Sequence, residues 1–424
     1  MNQTARSREL ARVVSAGVIG TAVEFYDFFL YGAAAALVFG KVFFPHAAGL
    51  GVLAALATYA VGFAARPLGG VVFGHFGDRI GRKRLLVISL LLMGGSSVLI
   101  GLLPSYHQIG VAAPTLLVLL RLVQGFALGG EFGGAVLLVA EHGPANRRGF
   151  WTSWPQTGGP IGNLLATGAL AMTAAITTSA DYLAWGWRVP FVASIALVII
   201  GLWIRARVSE SPLFTEIAKH QDRERAPLVA ALRHPRPLFS VFAARIGENA
   251  TFYVFTIFLL VYASHIGLTR AMATQVIAIA SVVQMAGMLA GGALSDRLGR
   301  RPVAIVAALA AAGWAWAFFP LVDTKNFSSV LLALAIGLGL HGILSGAQAA
   351  FYAELFDTTI RYSGVSLGYQ AATVFAGAAA PLVGTEILRQ TGSPALLILL
   401  LDACLLLTVF GMALAPETRH SRLR

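Results

Sequence analysis

Residues 74–85 read GHFGDRIGRKRL, and residues 292–303 read GALSDRLGRRPV. Both fit the pattern G-x-x-x-D-R-x-G-R-[RK], and they start 218 residues apart. Each is a short basic island between long apolar runs. Working outward from these islands, a membrane helix needs about 20 largely apolar residues to cross the hydrocarbon. Twelve stretches qualify, at roughly 13–39, 50–76, 85–103, 115–140, 149–176 and 187–207, then 237–263, 270–293, 303–322, 328–352, 363–388 and 394–415. Both islands fall between the second and third stretch of a set of six.

The composition agrees. Of 424 residues, 57% are apolar and 12% charged, where a soluble domain carries about 25% charged residues. Mean hydropathy is +0.75. These values exclude a water-soluble globule, a disordered chain and a disulfide scaffold. The apolar runs are continuous and do not alternate, which excludes a β-barrel. The first span is too long and too polar in its middle for a cleaved signal peptide. One cysteine, Cys404, cannot form an internal disulfide or a cysteine metal site. The fold class is therefore an all-α polytopic membrane protein.

The net charge of +12 would suggest nucleic acid on a soluble protein. Sorting the 31 Lys and Arg by loop gives another answer. The side bearing both termini holds 23, the opposite side five, and Arg66, Arg121 and Arg245 lie inside spans. The positive-inside rule places both termini in the cytoplasm of a multi-pass cell-membrane protein. No nucleic-acid partner is needed to explain the charge.

A second repeat supports an internal duplication. Glu141 and Arg148 stand seven apart after the fourth span, as Glu354 and Arg361 do after the tenth. Gly20 and Phe25-Tyr26 also match Gly247 and Phe252-Tyr253. The expected organisation is a six-helix half at 1–207, a cytoplasmic linker at 208–236 and a second six-helix half at 237–424. Parallel repeats of this kind hold a substrate site between the halves near the midplane.

The paired loops resemble the signature of the major facilitator superfamily. Further segments narrow the likeness: GTAVEFYDFFLYG (20–32), RPLGGVVFGHFGDRIGRKR (66–84), RLVQGFALGGEFGG (121–134), WGWRVPF (185–191) and AELFDTTIRYSGVSLGYQ (353–370). Together these resemble the metabolite:proton symporter family, most closely its shikimate-type members. That family also includes carriers of α-ketoglutarate, citrate and proline/betaine. The resemblance covers essentially the whole chain. It implies the major facilitator fold, with 12 transmembrane helices in two six-helix halves.

Asp78 ends the second helix on the face where the eleventh helix begins, so that helix's N-terminal dipole can attract it. Asp296 can meet the fifth helix near Gly149 in the same way. The resemblance implies that Asp78, Arg79, Arg82, Asp296, Arg297 and Arg300 close the cytoplasmic side. The other reading of these charges is a solvated topology signal.

Seven ionisable side chains stand out inside spans, where each costs at least about 2.5–3.5 kcal/mol. Counted at about 1.5 Å per residue from the cytoplasmic ends, Asp27 lies about 21 Å deep and Arg121 about 26–29 Å. Glu24, Arg66 and Glu131 lie at about 15 Å, and Arg245 and Glu248 at about 12–17 Å. The depths suggest an upper pair, Asp27 with Arg121, and a lower cluster of Glu24, Arg66 and Glu131. A carboxylate that alternates between an arginine and a proton can couple transport, so Asp27 with Arg121 is the first proton-coupling candidate and Glu24 the second. A permanent ion pair holding two helices is the other reading. Arg66–Glu131 is expected to be structural. Arg245 and Glu248 stand three apart on one helix and can satisfy each other, yet Arg245 is also positioned to hold a substrate carboxylate. Tyr31, Gln124, Gln156, Asn249, Tyr369 and Gln370 are the remaining substrate-binding candidates. Tyr26, Asn163, Tyr253, Gln348 and a lone histidine, His341, could also line the cavity. Buried polar residues of this kind more often join helices.

No H-E-x-x-H, G-x-S-x-G or Cys/His cluster is present, and Gly81-Arg82-Lys83 is not a P-loop. An enzyme or ATP-driven pump is therefore not expected, and neither is a cofactor or a bound metal. The reading is a proton-coupled importer of a small polar organic acid or zwitterion, working by alternating access as a monomer in the bilayer. Its partners are a small-molecule substrate and H+. The competing reading is a facilitator or exporter of the same fold without proton coupling.

Overall fold

The structure, a computed structural model, describes residues 3–47, 50–207, 210, 227–421 and 423. Among these residues there is no β-strand. Also among these residues, twelve helices are long and apolar enough to cross a membrane. They are α1 (Arg8–Val42), α2 (Leu53–Ile80), α3 (Arg82–Leu102), α4 (Ala112–His142), α5 (Ala145–Ile176) and α6 (Arg188–Ala206) in the first half. The second half has α7 (Pro235–His265), α8 (Ala271–Leu298), α9 (Arg300–Asp323), α10 (Phe327–Glu354), α11 (Arg361–Thr391) and α12 (Ala395–Leu414). Most residues 208–226 of the expected linker lie outside the described residues. The rest of it holds a short helix, Pro227–Leu232, and the start of α7.

The packing obeys the repeat. In the first half α1 packs on α5 and α6, α2 on α4, and α3 on α4 and α6. In the second half α7 packs on α11 and α12, α8 on α10, and α9 on α10 and α12. The halves meet through two equivalent contacts, α2 with α11 and α5 with α8.

Glycine makes the closest of these approaches possible. A Cβ on Gly69 in α2 would stand 1.8 Å from the Phe126 carbonyl oxygen of α4. A Cβ on Gly346 in α10 would stand 2.0 Å from the Met288 carbonyl oxygen of α8. In a bilayer, where lipid offers the same apolar contacts as a neighbouring helix, such backbone proximity is what packing gains. The repeated loops use glycine differently. Gly81 and Gly299 both have φ 108°, a region open to glycine and strained for other residues, and each lets one helix end and the next begin within a single residue.

The helices around the centre are not uniform. Five-residue π turns interrupt α1 at Ala35–Phe39, α7 at Val254–Phe258 and α11 at Val374–Ala378. Pro155 and Pro160 stand inside α5. The outer faces carry exposed Leu99, Ile199, Trp203, Leu332 and Phe410, the apolar surface that hydrocarbon covers.

Candidate functional site

The face that carries the repeated loops is closed by two matching sets of contacts. At the first, the Asp78 carboxylate ending α2 accepts from the backbone N–H of Tyr362 at 3.2 Å and of Ser363 at 2.9 Å, and from the Ser363 hydroxyl at 2.9 Å. These amides belong to the first turn of α11, where backbone N–H groups have no partner within their own helix. At the second, Asp296 ending α8 accepts from Gly149 N–H and Phe150 N–H of α5, both at 2.8 Å.

Behind each aspartate lies a buried ion cluster. Glu141 joins Arg82 of its own half to Arg361 of the other, the latter at 2.7 Å. Glu354 joins Arg300 at 3.2 Å to Arg148 of the other half at 2.8 Å. Each cluster has two carboxylates and two guanidinium groups, so each is neutral. The pairs that stand seven apart in sequence do not bond to each other: Arg148 reaches Glu354, and Arg361 reaches Glu141. Arg79 and Arg297 stand apart from these clusters. Both are exposed, while Arg82 and Arg300 are buried.

Two acidic residues that sequence reasoning missed complete this face. Glu210, beyond α6, accepts from the backbone N–H of Arg82 at 3.1 Å and caps α3. Glu417, beyond α12, accepts from the N–H of Arg300 at 2.9 Å and of Arg301 at 3.1 Å and caps α9. The signal was available, since Glu210-Ser211 and Glu417-Thr418 each follow the sixth span of a half.

Deeper in, the structure corrects the upper pair. Asp27 is buried, at 1% exposure, and no ion pair joins it to Arg121 among the described residues. Its Oδ1 accepts from the Ser194 hydroxyl of α6 at 2.9 Å, and its Oδ2 has no hydrogen-bond partner among the described residues. Arg121 instead lies 4.3 Å over the Tyr31 ring and 4.8 Å over that of Tyr59. The two are linked indirectly. Arg121 donates to Gln124 at 3.2 Å, Gln124 donates to the Ser97 hydroxyl at 2.6 Å, and Ser97 stands beside Asp27. Asp27 and Arg121 also line one cavity of about 10 Å³, close to the size one water requires. The physical reason for the correction is that depth along a helix says nothing of azimuth, and the aromatic rings of α1 and α2 reach the guanidinium first.

Tyr31 is corrected likewise. It lies beneath Arg121 with its hydroxyl 2.6 Å from that of Thr58, away from the central cavity. Gln124 belongs to the Asp27 site. Tyr26 donates to the Pro190 carbonyl and Gln348 to the Ala244 carbonyl, which makes both helix-joining groups. Asn163 on α5 stands 3.5 Å from the Thr167 hydroxyl of the same helix. Arg66 lies over the rings of Phe28 at 4.8 Å and Phe63 at 4.5 Å. The side chain of Glu131, its expected partner, lies outside the described residues.

The central cavity, of about 60 Å³, lies between the halves. Its charged lining is Glu24 and Arg66 from the first half and Arg245 and Glu248 from the second, with Gln156, Asn249, Tyr369 and Gln370 among its polar groups. Arg245 pairs with Glu248, donates to Asn249 at 3.3 Å and lies 4.0 Å over the Tyr369 ring. Glu248 also stands 2.9 Å from His341 Nε2, and His341 Nδ1 is 2.9 Å from the Gln284 amide nitrogen. His341 is thus not merely packed. Toward the face opposite the repeated loops, rings of the two halves meet above this cavity: Phe29 with Phe252 at 6.3 Å and Phe63 with Tyr253 at 6.2 Å. With contacts on both sides and room for only a few waters, the polar lining is collapsed upon itself. Among the described residues no group of His, Cys, Asp and Glu could hold a metal ion.

An internally duplicated twelve-helix bundle with a charged cavity between its halves defines a secondary transporter, and the comparisons give the family. The chain belongs to the Major Facilitator Superfamily, whose profile matches residues 17–381. It is 40% identical to the inner membrane metabolite transport protein YhjE of Escherichia coli K12, over 97% of this chain and 95% of that one. It is 39% identical to the shikimate transporter of the same organism, over 94% and 93%. Its fold matches that of the proton:xylose symporter XylE of E. coli, with 6-bromo-6-deoxy-D-glucose bound, at a TM-score of 0.79, 17% identity and coverage of 99% and 98%. The protein is a multi-pass membrane transporter of metabolites and not an enzyme, and its shikimate-type likeness stands.

Proposed function

We propose that the protein is a proton-coupled symporter that imports a small polar organic acid or zwitterion, of the shikimate, dicarboxylate or betaine class, by alternating access. The observation that carries the proton coupling is Asp27. A buried carboxyl with one oxygen unpartnered among the described residues, linked to a guanidinium through Gln124 and Ser97, can exchange a proton without breaking a direct ion pair. The cargo class rests on the central cavity, whose two arginines suit a carboxylate and whose acids suit a cationic group. A relative named a shikimate transporter supports the same class.

In this reading Asp78 and Asp296 hold the loop face shut, and Arg245 with Asn249, Gln156, Tyr369 and Gln370 receives the solute. On the same reading both termini lie in the cytoplasm, which the 23 basic residues on that face support, and the protein works as a monomer in the inner membrane. Proteoliposomes given shikimate, α-ketoglutarate or glycine betaine test it. One of them is expected to drive proton entry in step with its own uptake. Uptake without proton movement would make the protein a facilitator.

A further inference from the structure

Arg245 is already occupied, and that has a consequence for charge. Glu248 holds it from three residues along α7, so the pair is neutral as it stands. A monoanionic solute that displaces Glu248, or simply joins the pair, adds an unbalanced negative charge to a buried cavity. Such a charge is strongly disfavoured unless it is paired. A proton taken up nearby removes the imbalance.

The geometry points to His341 on α10 as the group that takes it: we propose that His341 is a second proton site, which binds Glu248 when protonated and so releases Arg245 to a solute carboxylate. This deepens the symporter reading and rests on it. Glu248 reaches both partners at once, with one oxygen at Arg245 and the other 2.9 Å from His341 Nε2, without an aligned hydrogen bond to the ring. On the far side of the ring, Gln284 of α8 stands 2.9 Å from Nδ1. An amide can donate to a bare ring nitrogen or turn and accept from a protonated one, so Gln284 serves both states. His341 is 3% exposed but lines the central cavity, as do Arg245, Glu248 and Ser345. Asp27 does not line that cavity.

The other groups around the ring leave this assignment in place. From α7 come Glu248, Arg245, Tyr253 and the Phe252 ring, which lies 5.5 Å away. Tyr369 comes from α11, while Glu24 of α1 and Arg66 of α2 form the opposite wall. Gln284 and Met288 of α8 and Gln156 of α5 carry no charge. Glu248 is the carboxylate within ion-pair distance of His341 among the described residues. With the proton on His341, two cations, one glutamate and the solute carboxylate sum to zero.

The two proton sites then do different work. Asp27, outside the solute cavity, carries the larger share of gradient-driven accumulation, and His341 sets how pH governs affinity. The test is shikimate binding to purified protein from pH 5.5 to 8, for wild type, His341→Gln and Asp27→Asn. Wild type and Asp27→Asn are expected to bind more tightly as pH falls, by up to tenfold per unit. His341→Gln is expected to lose that slope. A retained slope in His341→Gln overturns the proposal. Absence of shikimate binding in all three counts against shikimate as the solute, and a second measurement then decides. Proton uptake from solution on adding another carboxylate solute, α-ketoglutarate, to the purified protein should appear in wild type and be lost in His341→Gln. Uptake that is equal in the two overturns the proposal.

Discussion

The two halves are near copies where they meet at the loop face and differ at the membrane interior. At the face, Asp78 caps α11 as Asp296 caps α5, Glu141 bridges arginines as Glu354 does, and Glu210 caps α3 as Glu417 caps α9. Inside, the first half holds Asp27 among serines with Arg121 on aromatic rings, while the second holds Arg245, Glu248 and His341 in direct contact. Val254 stands where the repeat would place a counterpart of Asp27, and Leu334 near the counterpart of Arg121. On the proposed reading, the contrast separates two tasks. Opening and closing one face is symmetric and keeps duplicated residues. Coupling a proton to a solute needs two different chemistries and lets the copies diverge.

The largest expected effect follows from the interior asymmetry. Asp27→Asn keeps the size and an accepting oxygen but cannot titrate. It should cut accumulation driven by a pH gradient in proteoliposomes at least tenfold below wild type, while counterflow exchange survives. If the Asn variant accumulates solute with wild-type pH dependence, Asp27 is structural and Glu24 becomes the next candidate.

The face symmetry makes a second demand. Glu141→Gln and Glu354→Gln each leave two buried guanidinium groups with one carboxylate fewer. Breaking a buried pair in this way costs about 3–5 kcal/mol. Both variants should lower the Tm of the purified protein by similar amounts and slow uptake. A loss confined to one of them would show that the two clusters are alike in geometry but not in load.

A smaller and more local effect belongs to Arg245. Arg245→Ala should weaken apparent affinity for a carboxylate solute about tenfold or more, while the maximal rate at saturation falls less. Charge-assisted hydrogen bonds of this kind are worth about 1.5–3 kcal/mol. Unchanged apparent affinity would remove Arg245 from the binding site and leave it as the partner of Glu248.

The sequence carried the face far better than the interior, and the reason is geometric. Asp78 and Asp296 sit at helix ends, where position along the chain fixes position in space, and the motif is printed twice. The partners of Glu141 and Glu354 were not legible, because the seven-residue spacing marks the repeat and says nothing of bonds that cross to the other half. Interior contacts depend on helix rotation, which one sequence does not reveal. Depth placed Asp27 near Arg121 but could not show Gln124 and Ser97 between them. For His341 the sequence left cavity lining and helix joining both open, because its partners come from α7 and α8. Asp402, an intramembrane acid on α12, was passed over altogether; it accepts from the Trp316 indole of α9 at 2.8 Å.

The smallest effect tests how far the symmetry extends past the membrane. Glu417 lies beyond α12, and its carboxyl is held below the usual glutamate range. Burial alone would raise it, but the backbone N–H groups of Arg300, Arg419, Arg301 and Thr418 outweigh that. A carboxyl depressed in the folded state contributes stability above its unfolded value, near pH 4.5, and loses it as pH falls through the folded value. Glu417→Gln keeps the shape but only one accepting oxygen, so at neutral pH it removes the charge at the start of α9 and the bond from one of the Arg300 and Arg301 N–H groups. A carboxylate at a helix N-terminus is worth about 0.3–1 kcal/mol, and partial exposure of Glu417 holds the effect to the low end. The wild-type Tm should therefore exceed that of Glu417→Gln by a degree or two at pH 7, and the gap should close as the pH is taken below about 4. Glu210→Gln at the start of α3 should lower the Tm at pH 7 by a similar amount. If Glu417→Gln alone does so, the duplication governs the membrane-embedded helices and the buried clusters but not the caps outside them.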